Sequence, residues 1–152
     1  MKVYRLSKRK YSNELNGKGA AKFGNRWNSK GVEMIYTAES RARAMAEVAV
    51  HLALATLPSD FEMIEIEVPN NIKVNKLNLE ELNENWNINP PILSTQKIGD
   101  KFIDSSDSCI LKVPSAVVQG DYDYLINSHH PEFNEIKIID VVIFPFDKRI
   151  FK

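Results

Sequence analysis

The stretch KFGNRWNSKGVEMIYTAES concentrates side chains that could hold a small charged molecule. Arg26 presents a planar fork of donors that suits phosphate, and Tyr36 offers an aromatic face with a hydroxyl group. Gly24 and Gly31 bracket Arg26, and glycine permits a backbone to approach a ligand closely. The alternative is ordinary packing, in which Arg26 is a surface charge and Trp27 anchors the core.

A second candidate lies on the segment SRARAMAEVAVHLALA, residues 40–55, whose alanine content and cap residue Ser40 predict a helix. At about 100° per residue, Ser40, Arg43, Glu47 and His51 fall within an arc of about 80°. The other residues are mostly apolar, so we expect this helix to be buried around most of its circumference. Its polar stripe either faces solvent, with an ion pair of Arg43 and Glu47 one turn apart, or lines a cleft with Glu47 at the middle. A cleft that joined this stripe to the arginine and tyrosine above would suit a nucleotide, which carries both phosphate and ribose.

Several common kinds of site are excluded by their missing signatures. The glycines do not match G-x-G-x-x-G and no G-K-[ST] is present, so a Rossmann fingerprint and a P-loop are absent. His129 and His130 are adjacent, and Cys109 has no second thiol, so we expect no zinc or other metal site. Ser115 lacks the G-x-S-x-G elbow, which argues against a hydrolase triad.

The composition is that of one soluble globular domain spanning residues 1–152, with 43% hydrophobic and 26% charged residues. A single cysteine excludes an internal disulfide and fits a reducing compartment. The start of the chain lacks the apolar region of a signal peptide, and no apolar run approaches the roughly 18 residues of a membrane span. We therefore expect a cytoplasmic protein without membrane contact.

The net charge is zero but unevenly distributed along the chain. Residues 1–56 carry 11 Lys and Arg against 4 Asp and Glu, a balance of +7, and residues 57–152 carry 9 against 16, a balance of −7. A largely acidic remainder argues against direct nucleic-acid binding. The basic part could attract a small anion such as a phosphate, unless the two kinds of charge intermix in the folded protein.

The elements that must position these residues predict an α+β fold of short strands with a central buried helix. Residues 7–31 are predicted as a long polar loop with a short helix, and the change of apolar parity in FEMIEIEV indicates a β-bulge. Helices are predicted at 40–55, 79–85 and 94–105, and strands at 2–6, 33–38, 61–68, 109–113, 115–119, 122–127 and 136–147.

Four segments in this order resemble one known family. VYRL, GNRWNSKGVEMIYTAES, AMAEVAVHL and VPSAVVQGDYDYLINSHHPEF follow the pattern of the RES domain over nearly the whole chain. The resemblance implies a fold related to ADP-ribosyltransferases and the toxin of a bacterial toxin–antitoxin pair. It implies NAD as a substrate and no cofactor. The implied partner is a co-encoded antitoxin with a helix-turn-helix domain, with which the toxin could form an oligomer.

The resemblance also implies roles for individual residues. Glu47 would stabilise positive charge on the ribose as the bond to nicotinamide breaks, and Arg5 and Arg26 would neutralise the pyrophosphate. Tyr36 would stack on nicotinamide, and Ser115 would bond the ribose or the amide. Carried over by position, the family's site falls on Arg5, Arg26, Tyr36, Glu47, Ser115 and Asn127.

The sequence departs from the family pattern at two positions and leaves the reaction open. Asp123 stands where Asn is expected and Ser128 where Pro is expected, so the role of residues 121–128 is undetermined. The acceptor of ADP-ribose could be water, phosphate or a protein side chain. The alternatives to NAD hydrolysis or phosphorolysis are a mono-ADP-ribosyltransferase and a non-catalytic module that binds a nucleotide or a partner.

Overall fold

The computed structural model describes residues 1–52 and 59–151, and within them the chain forms seven β-strands and three α-helices. The strands are β1 (Lys2–Lys8), β2 (Ile35–Ala38), β3 (Phe61–Glu67), β4 (Val74–Lys76), β5 (Ile110–Pro114), β6 (Tyr122–Ile126) and β7 (Lys137–Ile143). The helices are α1 (Lys18–Phe23), α2 (Arg41–Ala49) and α3 (Leu93–Ser105). Short 3-10 helices occupy Arg9–Tyr11, Leu79–Glu81, Pro131–Glu135 and Lys148–Phe151.

The strands form one sheet in the order β4-β5-β6-β2-β1-β3-β7. Only the β4–β5 pair is parallel among the described strands, and the other neighbours are antiparallel. A largely antiparallel mixed sheet, with helices in only some of the connections between its strands, is an α+β architecture, so the predicted fold class is confirmed. Within the same part of the chain, no helix combines the length and the apolar content needed to cross a membrane.

The two halves of the sheet meet at the β1–β2 pair, which is much weaker than its neighbours. β1 pairs with β3 along all seven of its residues but with β2 only through Tyr4 and Ala38. A continuous antiparallel ladder would next pair Arg5 with Thr37. The two strands do not form this pair, so they separate beyond Tyr4 and Ala38. The sheet therefore opens between β1 and β2, and this opening positions the site described below.

Strand β3 is buried on both faces, which explains its unusual sequence pattern. Met63 packs with the side chains under α2, whereas its neighbour Ile64 packs into the cluster on the opposite face. The β1–β3 register is regular through both residues, so the predicted position of the β-bulge, at the change of parity between Met63 and Ile64, is wrong. The register shift occurs instead between Glu65 and Ile66, opposite β7.

Helix α2 is shorter and more exposed than the sequence predicts. It begins after Ser40, whose side chain accepts a hydrogen bond from the backbone N–H of Arg43, and it ends at Ala49. Arg43 and Ala44 are its only buried residues. The expected burial around most of the circumference is therefore wrong, because alanine favours helix through propensity rather than through burial. Residues 53–55 of the predicted helix lie outside the described part of the chain.

The predicted strand at 115–119 is a turn. The Oγ atom of Ser115 accepts hydrogen bonds from the backbone N–H groups of Val117 and Val118, at 3.1 and 3.0 Å. Such side-chain contacts compete with a strand ladder for the same backbone groups. The valines that suggested a strand therefore lie in a loop between β5 and β6.

The loop after α1 is fixed by a close approach to α3. Trp27 is buried, and a Cβ atom added to Gly99 of α3 would lie 1.5 Å from its backbone oxygen. Gly24 ends α1 with a φ of +75°, a conformation that side chains other than glycine rarely adopt. The backbone around Trp27 can therefore adopt its observed path only because positions 24 and 99 are both glycine.

We predict that Gly99→Ala destabilises the fold, because the new methyl group overlaps backbone that cannot turn away. The free energy of unfolding should fall by about 3 kcal/mol or more, at the upper end for overpacking. Gly19→Ala is the matched control, since nothing lies within 4 Å of a Cβ atom at this helical position. Urea denaturation of both variants measures the difference, and equal stabilities would contradict the close contact between α3 and Trp27.

Candidate functional site

A cavity of about 730 Å³ lies where β1 and β2 separate. Its volume is within the range of about 300–1,000 Å³ that small-molecule sites occupy. Arg5 and Tyr36 line it from the two separating strands, Arg26 lines it from the loop after α1, and Glu47 lines it from α2. The structure thus brings together four of the six side chains proposed from the sequence.

The loop that carries Arg26 is held in shape by a buried asparagine. The Nδ2 group of Asn28 donates to the backbone oxygens of Ala20 and Val32, each at 3.0 Å. Its Oδ1 atom accepts a hydrogen bond from the hydroxyl of Tyr36. Asn28 has no exposed surface, and the hydrogen bonds of its amide join the two ends of the loop to each other and to Tyr36; we call this set of bonds the Asn28 clasp. Arg26 is therefore presented on a fixed backbone.

Tyr36 contributes its ring to the cavity and its hydroxyl to the protein. The hydroxyl accepts a hydrogen bond from the backbone N–H of Trp27 at 3.0 Å and donates to Asn28. Burial raises the pKa of Tyr36 above its ordinary value, so the phenol stays neutral. With its hydroxyl bonded inside the protein, Tyr36 has its ring left to contact a ligand, and the stacking role stays an expectation from the sequence.

Arg5 and Arg26 supply positive charge that the protein itself does not neutralise by an ion pair within the described residues. Arg5 donates to the backbone oxygen of Asn16 at 3.3 Å, and burial lowers its pKa. Arg26 donates through Nη1 to the backbone oxygens of Trp86 and Ile88, at 3.0 and 2.9 Å. Burial lowers the pKa of Arg26 as well, while the charge of Glu47 acts in the opposite direction. Two cations that line one cavity and form no ion pair within the described chain are suited to bind an anion.

Glu47 is oriented by two donors on its Oε1 atom. Nη2 of Arg43, one turn earlier on α2, lies 2.7 Å away, and Oγ of Ser115 lies 2.9 Å away. Ser115 therefore reaches the site by holding the carboxylate, while its own backbone is fixed by the turn after β5. The side chain of Glu47 keeps 33% of its surface exposed, so part of the carboxylate remains accessible from the cavity.

A group of acidic side chains surrounds Arg43. Nη2 of Arg43 also donates to Oδ1 of Asp123 at 2.8 Å, and its Nε lies 3.4 Å from Oδ2 of Asp121. Burial, and then the neighbouring Glu47, raise the pKa of Asp123 to about 8. Burial opposes the charge on Arg43, but the hydrogen bond to Glu47 and the acidic neighbours raise its pKa.

Asn127 is not brought to this cavity. Its side chain is fully buried, where Nδ2 donates to the backbone oxygen of Ile103 at 3.4 Å and Oδ1 accepts from the backbone N–H of His129 at 2.9 Å. We therefore correct its expected role in substrate binding to a structural role at the end of β6. Its neighbour Ser128 follows it into the loop after β6, away from the lining of the cavity.

Three further side chains shape the site, and only Arg43, as an ion-pair partner of Glu47, had a role predicted from the sequence. Asn28 belongs to the Arg-Trp-Asn cluster, and its place in a loop bracketed by glycines could have indicated a clasp. Arg43 precedes Glu47 by four residues on a helix, a spacing that favours an ion pair. Asp123 gave no comparable signal, because its approach to Glu47 depends on the pairing of β6 with β2.

The separated strands, the two arginines without ion pairs in the described chain, and the oriented Glu47 define a cleft suited to a charged small molecule. A family model described as RES domain matches residues 2–147. The chain belongs to the RES domain family, as its sequence resemblance led us to expect.

Two curated relatives are similar over nearly their full lengths. Toxin Res of Yersinia enterocolitica serotype O:8 / biotype 1B is 33% identical over 152 residues, which cover 99% of this chain and 99% of that protein. The Prs ADP-ribosylating toxin of Sphingobium sp. strain YBL2 is 33% identical over 143 residues, which cover 93% of this chain and 89% of that protein.

A solved structure shows the same fold at lower sequence identity. The chain is similar to one in the crystal structure of the M. tuberculosis MbcT–MbcA toxin–antitoxin complex, with a TM-score of 0.77 and 19% identity. The match covers 99% of this chain and 86% of that chain. This likeness shows that the two chains share a fold, and the relation of the fold to ADP-ribosyltransferases stays an expectation from the family resemblance.

We predict that Arg5→Met separates stability from anion binding. Replacing a partly buried cation that lacks an ion pair in the described chain with an apolar side chain of similar length should leave the free energy of unfolding unchanged or raise it by on the order of 1 kcal/mol. The stabilisation that added ADP-ribose gives to the parent protein should largely disappear, because ligand binding and stability are linked. Urea denaturation with and without ADP-ribose measures both effects.

Lys8→Met, at an exposed position on the same strand, is the matched control and should respond to ADP-ribose as the parent does. If the Arg5→Met protein is stabilised by ADP-ribose as strongly as the parent, Arg5 does not contact the phosphates.

Proposed function

We propose that this protein is the toxin of a bacterial toxin–antitoxin pair and that it cleaves the bond between nicotinamide and ribose in NAD. The observation that carries the proposal is the placement of Glu47 in one cavity with Arg5 and Arg26, the two arginines that form no ion pair in the described chain. Membership of the RES domain family supports the same conclusion.

The chemistry at Glu47 concerns charge that appears during the reaction. The bond between C1′ of the ribose and the ring nitrogen of nicotinamide breaks, and its electron pair leaves with the nicotinamide. The ribose then carries oxocarbenium character until an acceptor oxygen bonds to C1′ and loses its proton. A carboxylate beside the ribose stabilises that positive charge, as carboxylates do in glycoside cleavage. The neutral leaving group makes a strong acid unnecessary.

The arginines would bind the pyrophosphate that joins the two nucleosides. Nη1 of Arg26 is occupied by the backbone of residues 86 and 88, so its remaining N–H groups are the ones that would contact the phosphate. Arg5 would approach from β1, on the other side of the opening in the sheet. Tyr36 lies between the arginines and Glu47 in the chain and lines the same cavity, where its ring can stack on nicotinamide.

The acceptor defines a second candidate function. Water gives NAD hydrolysis and phosphate gives phosphorolysis, whereas a side chain of another protein gives mono-ADP-ribosylation. The relative from Sphingobium is named an ADP-ribosylating toxin, and this name favours the protein acceptor as the alternative. The three reactions share the leaving group and the charge on the ribose, so the roles of Glu47 and the arginines are the same in each.

The antitoxin would act by covering the mouth of the cavity at the segment 17–31, of which residues 24–27 line the cavity. Phe23 at the end of α1 is 80% exposed, and Val50, which lines the cavity, is 58% exposed. Apolar side chains at an entrance are suited to contact with a partner protein. The similar solved structure is a toxin–antitoxin complex, which supports an antitoxin as that partner. From the family resemblance we expect this antitoxin to carry a helix-turn-helix domain.

We predict that the purified protein consumes NAD and that Glu47→Gln lowers kcat by at least about 10²-fold. The amide keeps the shape of the side chain but removes the charge that stabilises the oxocarbenium character. Glu80→Gln, at an exposed position outside the cavity, is the matched control. Mass spectrometry of the products with and without phosphate identifies the acceptor. Unchanged turnover in folded Glu47→Gln protein would favour a site that only binds a nucleotide.

We predict further that expression of this protein alone arrests growth and that the co-encoded neighbour restores it. The Glu47→Gln variant should be tolerated, while Glu80→Gln should remain toxic. If the neighbour covers the cavity, NAD and the neighbour weaken each other's binding by the same factor. Titration of the purified complex with NAD measures this coupling. Growth arrest that persists with the neighbour present, or equal toxicity of the Glu47→Gln variant, contradicts the proposal.

A further inference from the structure

Three acidic side chains share a single buried guanidinium beside the cavity. Nη2 of Arg43 bonds Oε1 of Glu47 at 2.7 Å and Oδ1 of Asp123 at 2.8 Å, and Nε of Arg43 contacts Asp121 at 3.4 Å. Because one nitrogen bonds both Glu47 and Asp123, their accepting oxygens are at most about 5.5 Å apart, the sum of 2.7 and 2.8 Å. Burial, and then a hydrogen bond between the two carboxyl groups, raise the pKa of Asp123. If all three carboxyl groups were ionised, the group would carry a net charge of −2.

The other neighbours of Asp123 do not supply the missing positive charge. Asp123 pairs with Ala38 on β2 and Val113 on β5, both apolar, and the charged residue that follows Ala38 is the acidic Glu39. Helix α2 contributes the cation of Arg43 together with the anion of Glu47, and its other cation, Arg41, pairs with Glu65 instead. Repulsion between close carboxylates is costly where solvent is excluded, so one group in such a cluster retains a proton.

The surroundings of the two close carboxyl groups indicate which one retains the proton. Glu47 accepts hydrogen bonds from Arg43 and from Ser115, and its side chain is 33% exposed. Among the residues that the structure describes, Arg43 is the one side chain that donates to Asp123, whose own side chain is 12% exposed. Donors and solvent both favour the charged form of a carboxyl group. The proton therefore belongs on Asp123, and the charge belongs on Glu47.

We propose that Asp123 is a neutral carboxylic acid at neutral pH and that its O–H group donates to Glu47, holding the Glu47 carboxylate in place for catalysis. Asp123 is then a positioning residue, since it acts through Glu47. The catalytic consequence rests on the proposed NAD cleavage, whereas the protonation of Asp123 does not. The raised pKa of Asp123 agrees with the geometry.

A rise in pH would remove the hydrogen bond that Asp123 donates. Loss of its proton leaves two anions in contact with one nitrogen of Arg43, and the repulsion displaces Glu47, which is the more exposed of the two. Asparagine has nearly the same shape and donates through its amide N–H at every pH. Asp123→Asn should therefore reproduce the function of the protonated acid and abolish its dependence on pH.

The first test is the pH dependence of NAD consumption by the full chain. For the parent, kcat should fall by at least about tenfold as pH rises through the pKa of Asp123, while Asp123→Asn should retain turnover on the alkaline side. Asp123→Ala should lose turnover at every pH, because it supplies no donor. Asp104→Asn, on the exposed side of α3, is the matched control and should keep the alkaline fall of the parent. An alkaline fall in Asp123→Asn equal to that of the parent overturns the positioning role.

The second test measures the proton without any substrate. Folding raises the pKa of Asp123 above the value of about 4 in the unfolded chain, so its contribution to stability is complete below that pH and is lost as pH rises through the folded value. Where the native state holds one more proton, the unfolding constant of the parent relative to Asp123→Asn should increase about tenfold per pH unit. Urea denaturation across pH measures this ratio.

The two tests distinguish the two proposals. A parent protein that leaves NAD intact at every pH overturns the proposed function and with it the catalytic consequence of Asp123. The protonation is then decided by the unfolding constants, and by the infrared band of a protonated carboxyl group that Asp123→Asn should lack. A ratio of unfolding constants that does not vary with pH, together with no such band, overturns the neutral state of Asp123.

Discussion

The separation of β1 from β2 is the constraint on which the rest of the structure depends. One residue pair, Tyr4 with Ala38, joins two halves of a sheet that are otherwise well paired. A continuous ladder would bring the backbones of β1 and β2 together where the cavity now lies. The opening is maintained from both sides, since the clasp of Asn28 holds one wall and α2 packs as the other. The site exists because the pairing of β1 with β2 ends after Tyr4 and Ala38.

The cavity that results has two electrostatically different ends. Arg5 and Arg26 provide positive charge that is held without acidic partners in the described chain, which is unfavourable until an anion binds. Arg43 lies among more carboxyl groups than it can neutralise, and in our proposal this surplus protonates Asp123 and holds the carboxylate of Glu47. Both ends lower the stability of the empty protein relative to its complex, so part of the binding energy is arranged in advance. A dinucleotide, with phosphates on one side of a ribose, matches this distribution.

Sequence patterns predicted the elements well where local chemistry and tertiary environment agreed. Strands β1 and β3 and helix α3 fall close to the predicted positions, because their apolar spacing matches the faces that they bury. The predictions were wrong where one local contact decided the backbone. The Oγ atom of Ser115 captures the backbone N–H groups that a strand at 115–119 would have used. Alanine content predicted α2 as a helix but could not show that most of its surface is only partly covered.

The sequence by itself determined the family, the α+β class and the side chains that could bind a dinucleotide, because these depend on residue type and order. Only the tertiary structure decided which of those side chains meet. It brought Arg5, Arg26, Tyr36 and Glu47 to one cavity and left Asn127 buried outside it. It also placed Asp123 against Arg43 and Glu47, residues about eighty positions earlier in the chain. Contacts of this kind follow from strand register and from the cost of burying charge, neither of which a linear pattern records.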